Sequence, residues 1–289
     1  MFLYTYKIDM KFLFYFFFII TLICSCSPNI GSYILNKQTP LNDNEYILVL
    51  QKEDSFNNDG IEIGSIKSGD NGFSSNCSYY EIIDKLKQIA RVNGANLIKI
   101  TEHKSADQWS TCERLKAKIY KVPNFRVHEK EIEWTANRKL TWEDFKGTPK
   151  TVTNVNTAAQ TYCGFGFQTN RVTMFNKTKI FTLNTFTTNL SWVRPDQKYR
   201  TDLLEHEQGH FDLCEIYTRQ LRKRLEEKKL TAFNLNTDAN VIFKEVYAWY
   251  LERQEQYEKE TEYGLDSKNQ IEWTIIISKE LNELSIYTK

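Results

Sequence analysis

The strongest constraint on this chain is a His-Glu-Gln-Gly-His motif at residues 206–210. In an α-helix, residues four positions apart lie on one face, and the rise between them is only about 6 Å. His206 and His210 can therefore converge on one zinc ion, each nitrogen about 2.0–2.1 Å from it, while Glu207 could take a proton from a metal-bound water. The alternative is two core histidines spaced by chance. The zinc site is favoured, because a buried His-Glu-His face without a metal needs other polar partners.

Residues 1–25 indicate a targeting segment rather than part of the folded protein. An apolar run over residues 12–23 has about the length of a signal-peptide hydrophobic region and is short for a membrane span. The sequence Ile-Cys-Ser-Cys at 23–26 resembles a bacterial lipobox, which implies that Cys26 becomes the lipid-modified first residue of the mature protein. An uncleaved anchor helix is the alternative. Either interpretation predicts a protein of the bacterial cell envelope, tethered to a membrane on its periplasmic or extracellular side.

The first folded part is predicted to be a small α+β module over residues 45–122, after a flexible, proline-containing tether over residues 26–44. Cys77 precedes the predicted helix and Cys112 precedes the last predicted strand. Outside the cytoplasm such a pair is usually a disulfide, so we expect one here. The sequence does not identify a protein partner for this module. The strands are expected near 46–50, 61–66, 95–101 and 115–122, and the helix near 78–93.

A larger α+β domain is predicted over residues 127–289. Residues 159–167 alternate between apolar and small or polar residues, as in a half-buried strand whose outer face carries Gly164 and Gly166. Such glycines let another backbone approach closely. The strand could therefore bind a substrate chain by added β-pairing, or it could simply be covered by a loop. Further elements are expected as a strand over 179–193 and helices from about 202, over 238–260 and over 269–284.

Zinc needs a third protein ligand, because catalytic zinc sites generally have three and keep one open position. Cys214 lies about 12 Å along the helix from His206, too far to share the ion; it is either packed in the core or paired with Cys163. Glu258 continues an apolar stripe on the helix over 238–260, where a carboxylate is uncommon. We therefore expect Glu258 as the third ligand, with Glu260 in reserve. The predicted stripe consists of Val241, Tyr247, Leu251, Gln254 and Glu258.

Five ordered motifs between about residues 130 and 285 resemble domain-of-unknown-function family 922, described as predicted secreted zinc-dependent proteases. The resemblance implies a zincin-like catalytic domain, with the HExxH helix packed on a mixed or antiparallel sheet. The family tends to have Asp and His where this chain has Glu258 and Tyr263. Glutamate keeps a carboxylate ligand there, whereas tyrosine is a poor zinc ligand. The motifs lie at 140–147, 191–193, 206–212, 257–264 and 270–273.

These observations predict a zinc peptidase of the cell envelope that acts on a peptide or protein, with Glu207 as the general base. Tyr263 could hydrogen-bond the developing oxyanion or only pack, and Asp212 could orient a histidine. The net charge of +1, without long runs of one sign, gives no indication of nucleic-acid binding. Two alternatives remain, a non-catalytic zinc-containing adaptor or sensor lipoprotein, and hydrolysis of a non-peptide amide in the cell wall.

Overall fold

The protein is described from a computed structural model, which covers residues 28–70, 74, 76–149, 157–169, 179–228, 230–231 and 233–288. The chain divides into two compact units, residues 1–123 and 124–289. Both contain helices and sheets, so the predicted α+β class is confirmed. The targeting segment and Cys26 lie outside the described residues. Within the described part of the chain, none of the helices has the length and apolar character needed to span a membrane.

The first unit is a five-stranded sheet with one helix against it. The strand order is β1-β3-β5-β4-β2, and neighbours are antiparallel except β2 and β4. Helix α1 contributes its apolar face to an aliphatic core shared with β3, β4 and β5, because its apolar residues recur at helical spacing. The elements are β1 (Asn29–Ile34), β2 (Leu48–Leu50), β3 (Ile61–Gly69), α1 (Tyr79–Val92), β4 (Leu97–Lys104) and β5 (Arg114–Lys121).

The flexible tether predicted over residues 26–44 is wrong where β1 forms. This strand pairs antiparallel with β3 along its whole length. The close approach requires Gly64, because a Cβ there would lie 2.2 Å from the carbonyl oxygen of Tyr33. Sequence periodicity missed β1 because this edge strand buries none of its residues fully and therefore carries little apolar alternation.

The predicted disulfide of the first unit is present. Cys77 and Cys112 are joined, and both are buried in the core between α1 and the sheet. The bond links the segment before α1 to the segment before β5. It therefore closes the loop that contains the helix and β4.

The second unit contains two small sheets and three long helices. A three-stranded antiparallel sheet has the order β6-β9-β8, which places β8 at an edge, and β7 pairs with β10. The strands are β6 (Glu131–Glu133), β7 (Ala159–Gln160), β8 (Cys163–Thr169), β9 (Ile180–Thr187) and β10 (Trp192–Val193). The helices are α2 (Thr201–Glu227), α3 (Leu235–Glu260) and α4 (Ser267–Glu283).

Two predicted strands of this unit are each divided into two. The strand over 159–167 is interrupted at Thr161 and Tyr162, where the hydroxyl of Thr161 donates to the Glu207 carbonyl and the Tyr162 amide donates to Ser191. The strand over 179–193 ends at Thr187, before a turn that leads into β10. At these points, hydrogen bonds between side chains and the backbone take the place of hydrogen bonds between strands. The alternation of apolar and polar residues does not reveal such interruptions.

Helix α2 is the centre of the second unit. Residues 211–219 are buried all round the helix, because α3, α4, β8 and β9 pack against it on different sides. Asp202 and Glu205 have the spacing typical of a helix capping box, but they do not form one here. The helix begins after Arg200 without a side-chain cap, and the Asp202 carboxylate instead accepts a hydrogen bond from the Arg200 guanidinium at 2.5 Å.

The stripe predicted for α3 is also wrong, because Val241, Tyr247 and Leu251 are exposed. This helix carries two apolar faces, and packing selected the other one. Hydrophobic spacing cannot distinguish such faces in a single sequence. The buried residues of α3 are Leu235, Ala239, Ile242, Val246, Tyr250 and Tyr257.

The stretch 128–131, which leads into β6, contains a buried carboxylate. Glu129 is buried and lies 3.2 Å from the Arg138 guanidinium, which also binds Asp144 at 2.6 Å. This pairing offsets the cost of burying the charge, which the isolated stretch of sequence does not show.

Candidate metal centre

Helix α2 presents His206 and His210 one turn apart, and α3 places Glu258 opposite them. The two Nε2 atoms are 3.2 Å apart. A Glu258 carboxylate oxygen lies 3.3 Å from the Nε2 of His206, and the other oxygen lies 3.4 Å from the Nε2 of His210. One donor atom from each residue can be chosen so that all three lie within 4.8 Å of one another, and these residues could hold a metal ion.

The donor separations can be compared with those of a tetrahedral zinc ion. Two ligand atoms at about 2.0–2.1 Å from zinc, at a tetrahedral angle, are about 3.3–3.4 Å apart. The two histidine Nε2 atoms come close to this spacing, and each contacts a different oxygen of Glu258 at 3.3 or 3.4 Å. Two imidazoles with one carboxylate are a recognised catalytic zinc set, so the residues present fit zinc by their chemistry and their proximity.

Glu207, between the two histidines in sequence, is 4 % exposed. Its Oε2 atom has no hydrogen-bond partner among the described residues. A buried carboxylate oxygen without a protein partner is costly. Such an atom is well suited to a proton-accepting role beside a metal, where a reacting group can provide the missing hydrogen bond.

The electrostatics of the three donors favour positive charge between them. Burial alone would lower the pKa of His210, but the carboxylates of Glu258 and Glu207 raise that pKa to about 9. Burial alone would raise the pKa of Glu258, but hydrogen bonds with His206 and His210 lower it to about 2. The arrangement thus keeps the carboxylate ionised and attracts a cation.

The histidine rings are oriented by glutamines rather than by Asp212. The Nδ1 of His206 lies 3.0 Å from the Oε1 of Gln270, and the Nδ1 of His210 contacts the Oε1 of Gln254. The expectation that Asp212 orients a histidine is wrong, because its carboxylate binds Trp134, Gln208 and Lys139. The sequence alone did not indicate this role for Gln254 and Gln270. The available signals were the position of Gln254 four residues before Glu258 and the inclusion of Gln270 in the last family-like motif.

A left-handed turn after α3 packs directly on the site. Glu262, Tyr263 and Gly264 all have positive φ angles of 49°, 58° and 76°. A Cβ on Gly264 would lie 2.8 Å from the Cγ atom of His206, so only glycine permits this contact. The Tyr263 side chain is 71 % exposed. It does not have the plain packing role considered from the sequence, and its hydroxyl role stays a prediction.

The other ligand candidates lie elsewhere. The Glu260 carboxylate accepts hydrogen bonds from the Trp273 indole at 3.0 Å and from Gln256 at 2.8 Å. Cys163 and Cys214 are free thiols in mutual contact, and the Cys163 thiol lies 3.6 Å from the carbonyl oxygen of His210. The geometry therefore favours Glu258 over Glu260, and the possible Cys163–Cys214 disulfide is not formed in this structure.

Comparison with protein families matches residues 178–264 to the family described as a bacterial protein of unknown function, DUF922. This match confirms the family resemblance over a segment that includes the histidine motif, Glu258 and the turn at Gly264. No curated protein and no solved structure matches the chain.

Proposed function

We propose that the second unit is a zincin-like zinc peptidase that hydrolyses a peptide or protein at the cell envelope. The observation that carries this proposal is the convergence of His206, His210 and Glu258, whose ligand atoms, one from each residue, lie within 4.8 Å of one another. The buried Glu207 carboxylate, one oxygen of which has no partner among the described residues, adds the group that amide hydrolysis requires.

The roles of the residues follow from their positions. Zinc held by the two histidines and Glu258 would polarise the scissile carbonyl and make a water more acidic. Glu207 takes a proton from the attacking water and later passes it to the leaving amine nitrogen. Tyr263 is exposed and precedes Gly264, the residue that packs against His206, and we assign its hydroxyl a hydrogen bond to the developing oxyanion.

An extended peptide is the substrate form that the second unit supports best. Among the described residues, strand β8 lies at an edge of its sheet and begins at Cys163, whose thiol lies 3.6 Å from the His210 carbonyl oxygen. A Cβ on Gly164 or Gly166 would meet none of the described residues within 4 Å, so the face of the strand is open there. A substrate chain could therefore add a strand to the edge of β8, beside the metal ligands.

The lipid anchor at Cys26 remains part of the proposal, from the lipobox resemblance alone. Replacing Cys26 with Ala should release the protein from the membrane fraction or leave its precursor unprocessed. An unmodified thiol at Cys26 in mature, membrane-bound protein, found by mass spectrometry, would refute the anchor.

The decisive test of catalysis is the Glu207→Gln variant with the exposed Glu205→Gln as its matched control on the same helix. We expect Glu207→Gln to bind zinc stoichiometrically but to lose at least about a hundredfold of peptide-library turnover, the usual contribution of a general base. The control should keep both properties. Full turnover by Glu207→Gln would disprove the mechanism. Zinc binding without turnover by the unmodified protein, across peptides and cell-wall amides, would support the adaptor or sensor.

A further inference from the structure

The two zinc-binding histidines are held by two glutamines in parallel ways. Each glutamine contacts the Nδ1 atom of one histidine ring and is also connected to the backbone carbonyl of that same histidine. The glutamines come from different helices, Gln254 from α3 and Gln270 from α4. A contact to both ring and backbone restrains the rotation of a side chain more than a ring contact alone.

Gln254 contacts both the ring and the backbone of His210 directly. The Oε1 of Gln254 contacts Nδ1 of the ring, and its Nε2 donates to the carbonyl oxygen of His210 at 3.0 Å. The bond to the carbonyl requires an amide N–H, which fixes the orientation of the amide group. The Oε1 atom must then face the ring, and since an amide oxygen only accepts, the Nδ1 of His210 must carry a proton.

Gln270 contacts the ring of His206 directly and is connected to its backbone carbonyl through the Tyr257 hydroxyl. The Nε2 of Gln270 donates to the Tyr257 hydroxyl at 2.8 Å, and that hydroxyl has two acceptors in reach, the His206 carbonyl at 3.1 Å and Oε1 of Gln270 at 3.2 Å. The Tyr257 ring also stacks on the His206 ring, with centroids 4.8 Å apart. Gly209 makes this possible, because a Cβ there would lie 2.2 Å from the Tyr257 hydroxyl oxygen. The Oε1 of Gln270 is left to accept from Nδ1 of His206.

We infer that Gln254 and Gln270 are positioning residues that hold a proton on Nδ1 of each histidine and direct the Nε2 lone pairs at the metal. This inference rests on the proposed function. The glutamine amides orient the rings without adding charge. The negative charge at the site then comes from the ligand Glu258 and from Glu207, which remains available as the base. Outer hydrogen bonds of this kind commonly change metal affinity by about 10- to 100-fold.

Zinc affinity, measured by competition with a chelator on the full chain, separates this role from general destabilisation. We expect Gln254→Leu and Gln270→Leu to weaken zinc binding about 10- to 100-fold. Gln270→Glu should restore affinity to within a few-fold, because a carboxylate keeps the acceptor. The matched control is Gln208→Leu, since Gln208 bonds Leu140 and Asp212 and neither histidine.

A second readout uses the zinc-loaded protein, in which ¹H–¹⁵N spectra report the protonated nitrogen of each imidazole. The chain has four histidines, so His103→Gln and His128→Gln variants leave the two of interest. We expect the rings of His206 and His210 to carry their protons on Nδ1, and Gln270→Leu to speed the exchange of the His206 Nδ1 proton with solvent. Zinc bound through Nδ1 of either ring in the unmodified protein, or equal zinc affinity in both Leu variants and the control, would overturn the inference. Failure of the unmodified protein to bind zinc would instead refute the proposed function.

Discussion

The two units bury very different side chains. Among the described residues, the polar side chains that the first unit buries are all uncharged. They are Ser68, Ser74, Asn93, Asn96 and Ser110. The second unit buries six charged residues, four on its central helix and two in the segments on either side of β6: Glu207, Asp212, Glu215, Arg219, Glu129 and Asp144. Buried charge is expensive unless paired. The first unit is thus held by an aliphatic core and a disulfide, whereas the second accepts a cost that needs a structural or functional reason.

Most of the buried charges in the second unit have a structural reason. Arg138 neutralises Glu129 and Asp144, and Arg219 lies 2.8 Å from Glu215. Glu207 differs, because one of its carboxylate oxygens has no partner within the described part of the chain. Among the buried charges of the described residues, Glu207 thus has an oxygen that serves no pairing in the fold, as the proposed role of general base requires.

The largest effect is expected from breaking a buried ion pair. Arg219→Met leaves the Glu215 carboxylate buried without its guanidinium and should destabilise the second unit by about 3–5 kcal/mol. Lys118→Met in the first unit is the matched change, because Lys118 pairs with Glu62 at 3.0 Å on the surface; it should cost under about 1 kcal/mol. Denaturant unfolding, followed by hydrogen exchange in each unit, measures both. Equal losses of unfolding free energy in the two variants would mean that burying an ion pair does not make its loss more costly.

The next effect concerns the cysteines. Replacing Cys77 and Cys112 with Ala removes a cross-link and should destabilise the first unit by about 3–4 kcal/mol. Zinc affinity of the second unit should not change. Cys163 and Cys214 are free thiols. Reductant should therefore not change the free energy of unfolding of the second unit, whether these two positions are Cys or Ala. A loss of zinc binding in the Cys77 and Cys112 variant would contradict the independence of the two units.

A smaller effect is expected at Gly264. The Gly264→Ala variant places a Cβ against the His206 ring and forces alanine into a left-handed conformation, which costs about 1–2 kcal/mol. Zinc affinity should fall about tenfold or more, a change of the size seen when ligand orientation is disturbed. Gly166→Ala is the control, because its Cβ would meet no atom of the described residues within 4 Å. Calorimetric zinc titration of both variants checks this, and equal affinities would refute the packing argument.

The spacing of residues along the chain predicted much of the candidate metal centre. The His206–His210 pair depends only on helix geometry, and the structure brings Glu258 to both rings although the apolar stripe used to select it is exposed. The family-like acid position supplied the information that the stripe lacked. The disulfide followed from the locations of Cys77 and Cys112 and from the expected export.

The rest depended on tertiary contacts that have no regular spacing. Gln254 and Gln270 orient the histidines from two other helices, and glutamine has no positional signature for that role. Strand β1 is an exposed edge strand without an apolar pattern, and it depends on Gly64 for its approach. In α3 the choice between two apolar faces was made by packing against α2.

The most direct test of the account is X-ray absorption spectroscopy of the zinc-loaded protein. We predict one zinc per chain, with two imidazole nitrogens and one carboxylate oxygen among nitrogen and oxygen ligands at about 2.0–2.1 Å. His210→Ala should abolish this signal. Zinc–sulfur scattering at about 2.3 Å would assign the metal to cysteines such as Cys163 and Cys214. That result, or substoichiometric zinc in the unmodified protein, would contradict a centre formed by His206, His210 and Glu258.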